Sequence, residues 1–277
     1  MKIHYKEEDE KRRWNSYASA NSKFPHVRDA ELNNQLAYVA PQKGDRILEV
    51  GTGNGILTFP MAGAVGCEGR VYSFDYRVEN LQAAMARNTL AHPIVFVPQV
   101  HNPQLGNYIF PLADGSIDTV STIAALHHYD DRSLETGVQG RAHAFKEFYR
   151  VLRPGGRLAI CDIAHGTRTQ RYFDGEMDNS KSPAYCLPRG HPHDFLDEGL
   201  ARQLCFDAGF KNINYTIEQT PLTFKNRGEA DTFLRRIHNA RSRFGESLEA
   251  ALKYFTGSDL SDRFTLDWEV FYLTAEK

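Results

Sequence analysis

From residue 46 onward, short apolar runs alternate with stretches whose apolar residues recur at helical spacing. The runs RILEV (46–50), RVYSFD (70–75), PIVFVPQ (93–99), IDTVSTIAAL (117–126) and RLAICDIA (157–164) are rich in β-branched and aromatic residues, as strands require. Between them lie the helical stretches ILTFPMAGAV, VENLQAAMARNTL and GRAHAFKEFYRVL, the last followed by a Pro154-Gly155-Gly156 turn. Such alternation builds βαβ units, and hence a mostly parallel sheet in an α/β fold.

Residues 1–43 precede this rhythm as helix, loop and helix, with Asp29 the expected N-cap of the periodic ELNNQLAYVA. Residues 165–197 interrupt it with Gly166, Gly175, Pro183, Pro188, Gly190 and Pro192, which suits an irregular insertion over the sheet, read as a lid. A helix (EGLARQLCFDAGF), a strand (NINYTIEQ), two helices near 228–254 and the apolar final strand WEVFYLTAEK follow. The expected organisation is an N-terminal helical cap (1–43), a core (44–164), a lid insertion (165–197) and the C-terminal part of the core with extra helices (198–277).

Charge narrows the partners. A net charge of -2, with 25% charged and 41% hydrophobic residues, leaves no electrostatic footprint for nucleic acid or an anionic membrane. No apolar run approaches the roughly 20 residues that span a bilayer, and MKIHYKEEDEKRRW is too charged for a signal peptide, so a cytoplasmic protein is expected. The cysteines, Cys67, Cys161, Cys186 and Cys205, are dispersed without a C-x-x-C pair, which suits reduced structural thiols. A homodimer is compatible with the sequence.

The chemistry begins where RILEV runs into Gly51-Thr52-Gly53-Asn54-Gly55 and then into a helix. Glycines at a strand-to-helix turn let the backbone come close to a ligand. The third glycine of the dinucleotide pattern G-x-G-x-x-G is missing, because Leu57 or Thr58 stands there. Asp75 ends the next strand, about 20 residues on, where a carboxylate can accept both hydroxyls of an adenosine ribose.

Together with PLADGSIDTVSTIAALHHYDD and FKEFYRVLRPGGRLAICDI, these residues resemble the class I S-adenosylmethionine (SAM) dependent methyltransferases. Within them the chain is similar to the small-molecule group that includes the ubiquinone and menaquinone C-methyltransferases. The resemblance covers residues 44–165, and more loosely WNSYA and FLDEGLARQLCFDAGF. It implies a Rossmann-like, seven-stranded, mostly parallel sheet flanked by helices, with the helical lead-in and a lid after the fifth strand. It also implies SAM as cofactor and methyl transfer to carbon, oxygen or nitrogen of a small metabolite.

Carried over by position, the resemblance implies that Glu49 faces the methionine end of SAM, with Gly51, Thr52 and Gly53 forming the turn beneath it. It puts Asp75 on the ribose, Tyr76 on the adenine, and Ile123 in the cofactor site at the end of the fourth strand. The acidic residue that usually accepts the adenine amino group is missing, and an amide oxygen of Gln99 or Asn102 is the expected substitute.

Ligands of an open parallel sheet lie beyond the carboxyl ends of its strands. His127 and His128 follow the fourth strand and His165 the fifth, so each is a candidate general base, with Asp162 near enough to orient an imidazole. Trp14 and Tyr17, three apart on one helical face, suit a cap over cofactor or acceptor. Tyr172, Tyr185 and His191 in the lid are candidate acceptor contacts. His191-Pro192-His193 lacks a paired Cys or a helically spaced partner, so no metal is expected. Two alternatives stay open: a SAM-binding enzyme catalysing a non-methylating isomerisation or cyclisation, and a noncatalytic SAM-binding module.

Overall fold

The computed structural model describes residues 7–75, 77–88, 93–98, 109–129, 139–185, 195–237 and 239–277. The chain opens with α1 (Glu7–Lys23), a 3-10 turn (Pro25–Arg28) and α2 (Asp29–Val39). There follow β1 (Arg46–Val50), α3 (Thr58–Val65), β2 (Arg70–Asp75), α4 (Val78–Arg87), β3 (Ile94–Pro98), β4 (Ile117–Ile123), α5 (Gln139–Val151) and β5 (Leu152–Asp162). The remainder comprises α6 (Arg168–Tyr172), α7 (Glu198–Ala208), β6 (Lys211–Gln219), β7 (Leu222–Phe224), α8 (Arg227–Ile237), α9 (Glu246–Leu252), β8 (Gly257–Asp259), β9 (Phe264–Leu266) and β10 (Glu269–Glu276).

The described residues fall into two compact units. A sheet unit comprises those of 32–165, 193–218 and 270–277, and an accessory unit those of 1–31, 166–192 and 219–269. Segments read from the sequence as cap, lid and C-terminal part thus each contribute to the accessory unit.

In the sheet unit seven strands lie in the order β3-β2-β1-β4-β5-β10-β6. β1 to β5 pair in parallel, and β10 runs antiparallel to β5. The central strands are nearly continuous buried runs because helices cover both faces of a parallel sheet. On one face Leu48, Val50, Phe74, Val120, Leu158 and Ile160 pack with Phe145 and Phe148 of α5. On the other face the register brings Ser73, Glu49, Ser121 and Ala159 into a row, a polar line through a buried layer. Gln35 of α2 meets it from above, donating Nε2–H to Ser121 Oγ at 3.0 Å and to the Ala159 carbonyl at 3.0 Å.

Local sequence sets the helix ends of this unit. Asp197 caps α7 by accepting the Leu200 N–H at 2.8 Å, and Gly209 at φ +104° closes it in the left-handed conformation that glycine adopts without strain. The expected Pro154-Gly155-Gly156 turn falls within the bounds of β5: the register on β4 jumps there from Ile117↔Leu152 to Thr119↔Arg157, Gly155 bends at φ +73°, and its N–H bonds to the Lys277 carbonyl at 2.9 Å. Asp29 is a correction. Its φ of -57° and ψ of -39° are already helical, so it sits inside the helix, without the extended geometry of an N-cap.

The accessory unit contains the expected helices, as α8 and α9, and a three-stranded antiparallel sheet ordered β7-β9-β8 that the sequence pattern did not announce. Each strand spans three residues, too few for an alternating pattern to register. The segment read as an irregular lid holds α6 and a π turn (Phe173–Met177). Among the described residues no helix is long and apolar enough to cross a membrane.

A buried ion pair ties the start of this unit together. Arg28 donates to Glu31 through Nε (2.8 Å) and Nη2 (2.6 Å), and through Nη1 to the Tyr17 hydroxyl at 2.7 Å. Removing one charge strands the other in the interior, so Arg28→Met should cost about 3–5 kcal/mol of stability. The double variant Arg28→Met/Glu31→Leu should recover most of it, as read by thermal denaturation.

Candidate active site

The carboxyl ends of β1, β2, β4 and β5 gather the residues singled out from the sequence. Gly51 leaves β1 at φ +83°, and its N–H and that of Thr52 both bond to the Phe74 carbonyl, at 2.8 and 3.1 Å. A Cβ on Gly51 would lie 2.5 Å from the Ala125 Cβ, so glycine here lets the turn press against the segment after β4. Gly53, at φ +53°, has nothing within 4 Å of the place its Cβ would take, which leaves its backbone open to a ligand edge.

Asp75 holds the turn from the side. Its carboxylate accepts Gly53 N–H at 2.8 Å, Arg77 N–H at 2.8 Å and Asn80 Nδ2 at 3.2 Å. Burial nevertheless lifts its carboxyl to about 6, outweighing those donors. Glu49 is 1% exposed, and its Oε2 accepts the hydroxyls of Thr58 (2.5 Å) and Ser73 (2.7 Å). Desolvation drives its carboxyl from the ordinary 4.5 up to about 7, the two hydroxyls pulling the other way. Thr52 uses its hydroxyl on the Phe74 carbonyl at 3.1 Å.

Ile123 is the buried last residue of β4. Ala124 follows at φ +51°, a conformation that costs a non-glycine residue about 1–2 kcal/mol and that clusters at functional turns. A 3-10 turn (Leu126–His128) then carries the two histidines. His127 is 5% exposed, and its Nδ1 lies 2.6 Å from Asp162 Oδ1. Its ring sits 4.0 Å from that of His128 and 5.4 Å from that of Phe195, centroid to centroid. Asp162, which is closer in sequence to His165, orients His127 instead. His165 is exposed, and its backbone N–H bonds to the Leu196 carbonyl at 3.0 Å.

The structure therefore brings together Glu49, Gly51, Thr52, Gly53, Asp75, Ile123, His127 and His128 in the sheet unit. Tyr76, Gln99, Asn102 and His191 lie outside the described residues, as does the side chain of Trp14. Tyr17 and Tyr185, both half-buried, belong to the accessory unit, and so does Tyr172. Tyr172 has no exposed surface: its ring packs 5.3 Å from Phe255 and 6.3 Å from Trp268, so the structure gives it a place in that unit's core.

Sequence reasoning missed Thr58, Ser73 and Asn80, the groups that supply the two buried carboxylates. Only Asn80 left a signal, as a polar residue in the first turn of the helix after Asp75. It also missed Arg87, whose Nη1 donates to the Asn54 carbonyl at 2.7 Å and fastens the far end of the turn.

Residues 48–160 match the family described as a methyltransferase domain. Over 143 residues the chain is 29% identical to 2-phytyl-1,4-beta-naphthoquinone methyltransferase of Arabidopsis thaliana, covering 51% of this chain and 50% of that protein. It is 24% identical to the ubiquinone/menaquinone biosynthesis C-methyltransferase of Francisella philomiragia, over 65% of this chain and 72% of that one. The chain spans about half the length of the first curated relatives it matches. Among solved structures, a SAM-dependent methyltransferase from Aquifex aeolicus shares the fold, with a TM-score of 0.53 at 16% identity over 95% of this chain and 97% of that one.

Two outcomes follow from the turn and from Glu49. Gly51→Ala should lower the melting temperature more than Gly53→Ala, because only the former adds a steric clash, worth about 1–3 kcal/mol, to backbone strain. A carboxyl whose folded value lies above its unfolded value stabilises the fold at low pH, and that contribution is lost as pH rises toward the folded value. Between pH 5 and 8 the stability of cofactor-free Glu49→Gln relative to the parent should therefore rise by roughly 2–3 kcal/mol, read from melting temperatures at the two pH values.

Proposed function

We propose that this chain, which carries a class I SAM-dependent methyltransferase domain, transfers a methyl group to carbon, oxygen or nitrogen of a small-molecule metabolite. The observation that carries this reading is the cradle at the ends of β1 and β2: an open glycine backbone at Gly53 beside the buried carboxylate of Asp75. The residues present fit the cofactor. When bound, SAM supplies an electrophilic methyl group on a sulfonium.

The chain's own part is binding, orientation and proton handling. Gly51 and Gly53 give backbone approach. Asp75 has about four acceptor positions, of which three are taken by N–H donors, so it offers one to a ribose hydroxyl directly. The second hydroxyl then competes with the Asn80 amide, the longest of the three contacts. Glu49 faces the methionine end, Ile123 borders the pocket, and Tyr76 with Gln99 or Asn102 receives the adenine. Among the histidines, His127 is held by Asp162 through Nδ1 and has Nε2 buried, which favours half-buried His128 and exposed His165 as the proton acceptor.

The quinone methyltransferases among the relatives support testing quinols as acceptors alongside phenols and amines. Trp14, Tyr17, Tyr185 and His191 stand as proposed acceptor contacts, whereas the burial of Tyr172 speaks for packing. A cytoplasmic location and a role in small-molecule biosynthesis belong to the same proposal, and the weak net charge supports leaving nucleic acid out of it.

Calorimetric titration with SAM tests the reading first. Binding should be measurable at pH 7.5, and Asp75→Ala should weaken it by about 10- to 100-fold, the worth of a hydrogen bond to a charged group. Affinity should also fall as the pH drops through about 6, where Asp75 takes up a proton. S-adenosylhomocysteine should then accumulate with at least one acceptor of the panel. SAM binding without that product from any acceptor would favour the isomerase or cyclase alternative.

A further inference from the structure

Residues 235–243 of the accessory unit carry four arginines, Arg235, Arg236, Arg241 and Arg243, and no carboxylate. Among the described residues none of their guanidinium groups has an ion pair or a hydrogen bond. Arg227 and Arg263, also exposed in this unit, are by contrast matched, to Asp259 at 2.7 Å and to Asp262 at 3.0 Å. The next carboxylate along the chain, Glu246, accepts the backbone N–H of Arg243 at 2.6 Å. A whole-chain net charge of -2 averages this cluster away, so only its local arrangement reveals it.

The end of α8 folds the cluster together. Asn239 turns into the left-handed region at φ +53°, Ala240 N–H bonds to the Arg235 carbonyl at 2.9 Å, and Asn239 N–H to the Arg236 carbonyl at 3.1 Å. This paired closure reverses the chain. Arg241 and Arg243 are exposed on either side of buried Ser242, whose Oγ lies 2.5 Å from Ser247 Oγ. Phe244 follows, 70% exposed, and a Cβ on Gly228 would stand 3.6 Å from its ring. Four extended residues span about 13 Å, close to the helical rise of about 10.5 Å from Gly228 to Arg235, so 240–244 runs back along α8. Gly228, Thr232 and Arg235, at i, i+4 and i+7, share the helix face that Phe244 borders.

Gly228 also lines a cleft of about 450 Å³ whose other wall is the β8–β9 turn. Leu260 stands there, 53% exposed, with Lys225 across from it. Unmatched guanidinium groups beside exposed phenyl and isobutyl side chains call for a partner that is anionic at its surface and apolar just beneath. A bilayer containing anionic phospholipid has both layers. A nucleic acid would engage the arginines and stack on Phe244 but offers Leu260 no apolar layer. We propose that this face of the accessory unit docks the protein on an anionic phospholipid bilayer. Arg235, Arg236, Arg241 and Arg243 meet the phosphates, and Phe244 and Leu260 enter the boundary of the acyl chains.

Flotation of the full-length protein with vesicles at pH 7.5 tests the proposal. Vesicles of phosphatidylcholine with about one third phosphatidylglycerol should carry the protein in about 0.1 M salt, and vesicles of phosphatidylcholine alone should not. Raising the salt to about 1 M, which shortens the screening length from about 10 to about 3 Å, should release it. Each arginine near an anionic surface is worth about fivefold in partitioning, so Arg241→Gln/Arg243→Gln should weaken binding about 25-fold. Phe244→Ser should weaken it about tenfold. These side chains are exposed, so the melting temperature should hold, and Lys211→Gln, at the exposed start of β6, should bind like the parent. Equal binding to both kinds of vesicle, binding to neither, or anionic binding untouched by the double variant would overturn the proposal. An oligouridylate RNA that binds the parent more tightly than the anionic vesicles, and loses affinity in the double variant, would overturn it too and assign the face to nucleic acid.

Discussion

Three carboxylates, Glu49, Asp75 and Asp162, end or nearly end strands of the parallel sheet, and each is less than 5% exposed. A carboxylate in such a place is costly unless donors surround it, so the neighbouring backbone is arranged around these three groups. Asp75 recruits the amide of Gly53 and thereby shapes the turn after β1. Glu49 recruits hydroxyls from α3 and β2, and Asp162 recruits the histidine turn after β4. The donors differ in kind, and so do the consequences. Burial lifts the Glu49 carboxyl to about 7 against the pull of two hydroxyls, whereas Asp162 is met by two backbone amides and an imidazole.

The same arrangement stores strain near the proposed chemistry. Gly51 is tolerated only without a side chain, Ala124 adopts a conformation most residues avoid, and the two meet through Ala125. The parallel register on both sides of β4 holds them in place. Rigid strands thus aim groups carried on short turns, which is how an α/β sheet presents ligands beyond its strand ends.

In the accessory unit the aromatic rings of Tyr172, Phe173, Phe255 and Trp268 form a packed cluster. The buried Arg28–Glu31 pair fixes its first residues by two parallel contacts. Residues 168–177, part of a segment whose glycines and prolines suggest irregular chain when read alone, are helical here because distant residues supply their hydrophobic neighbours.

What the sequence determined by itself was whatever depends on near neighbours along the chain. Buried strands announce themselves as β-branched runs, helices by period, and the turn after β1 by glycines between the two, so the sheet and the tight turn at Gly51 and Gly53 were legible. The tertiary structure decided everything that needs two strands to lie side by side. His127 and Asp162 are 35 residues apart and meet only because β4 pairs with β5, whereas sequence proximity pointed to His165. Thr58 and Ser73 become partners of Glu49 for the same reason, and three-residue strands formed a sheet that no local pattern could signal. Local spacing encodes what a segment becomes, but hydrogen-bond partners across a sheet are set by register, which no stretch of chain carries alone.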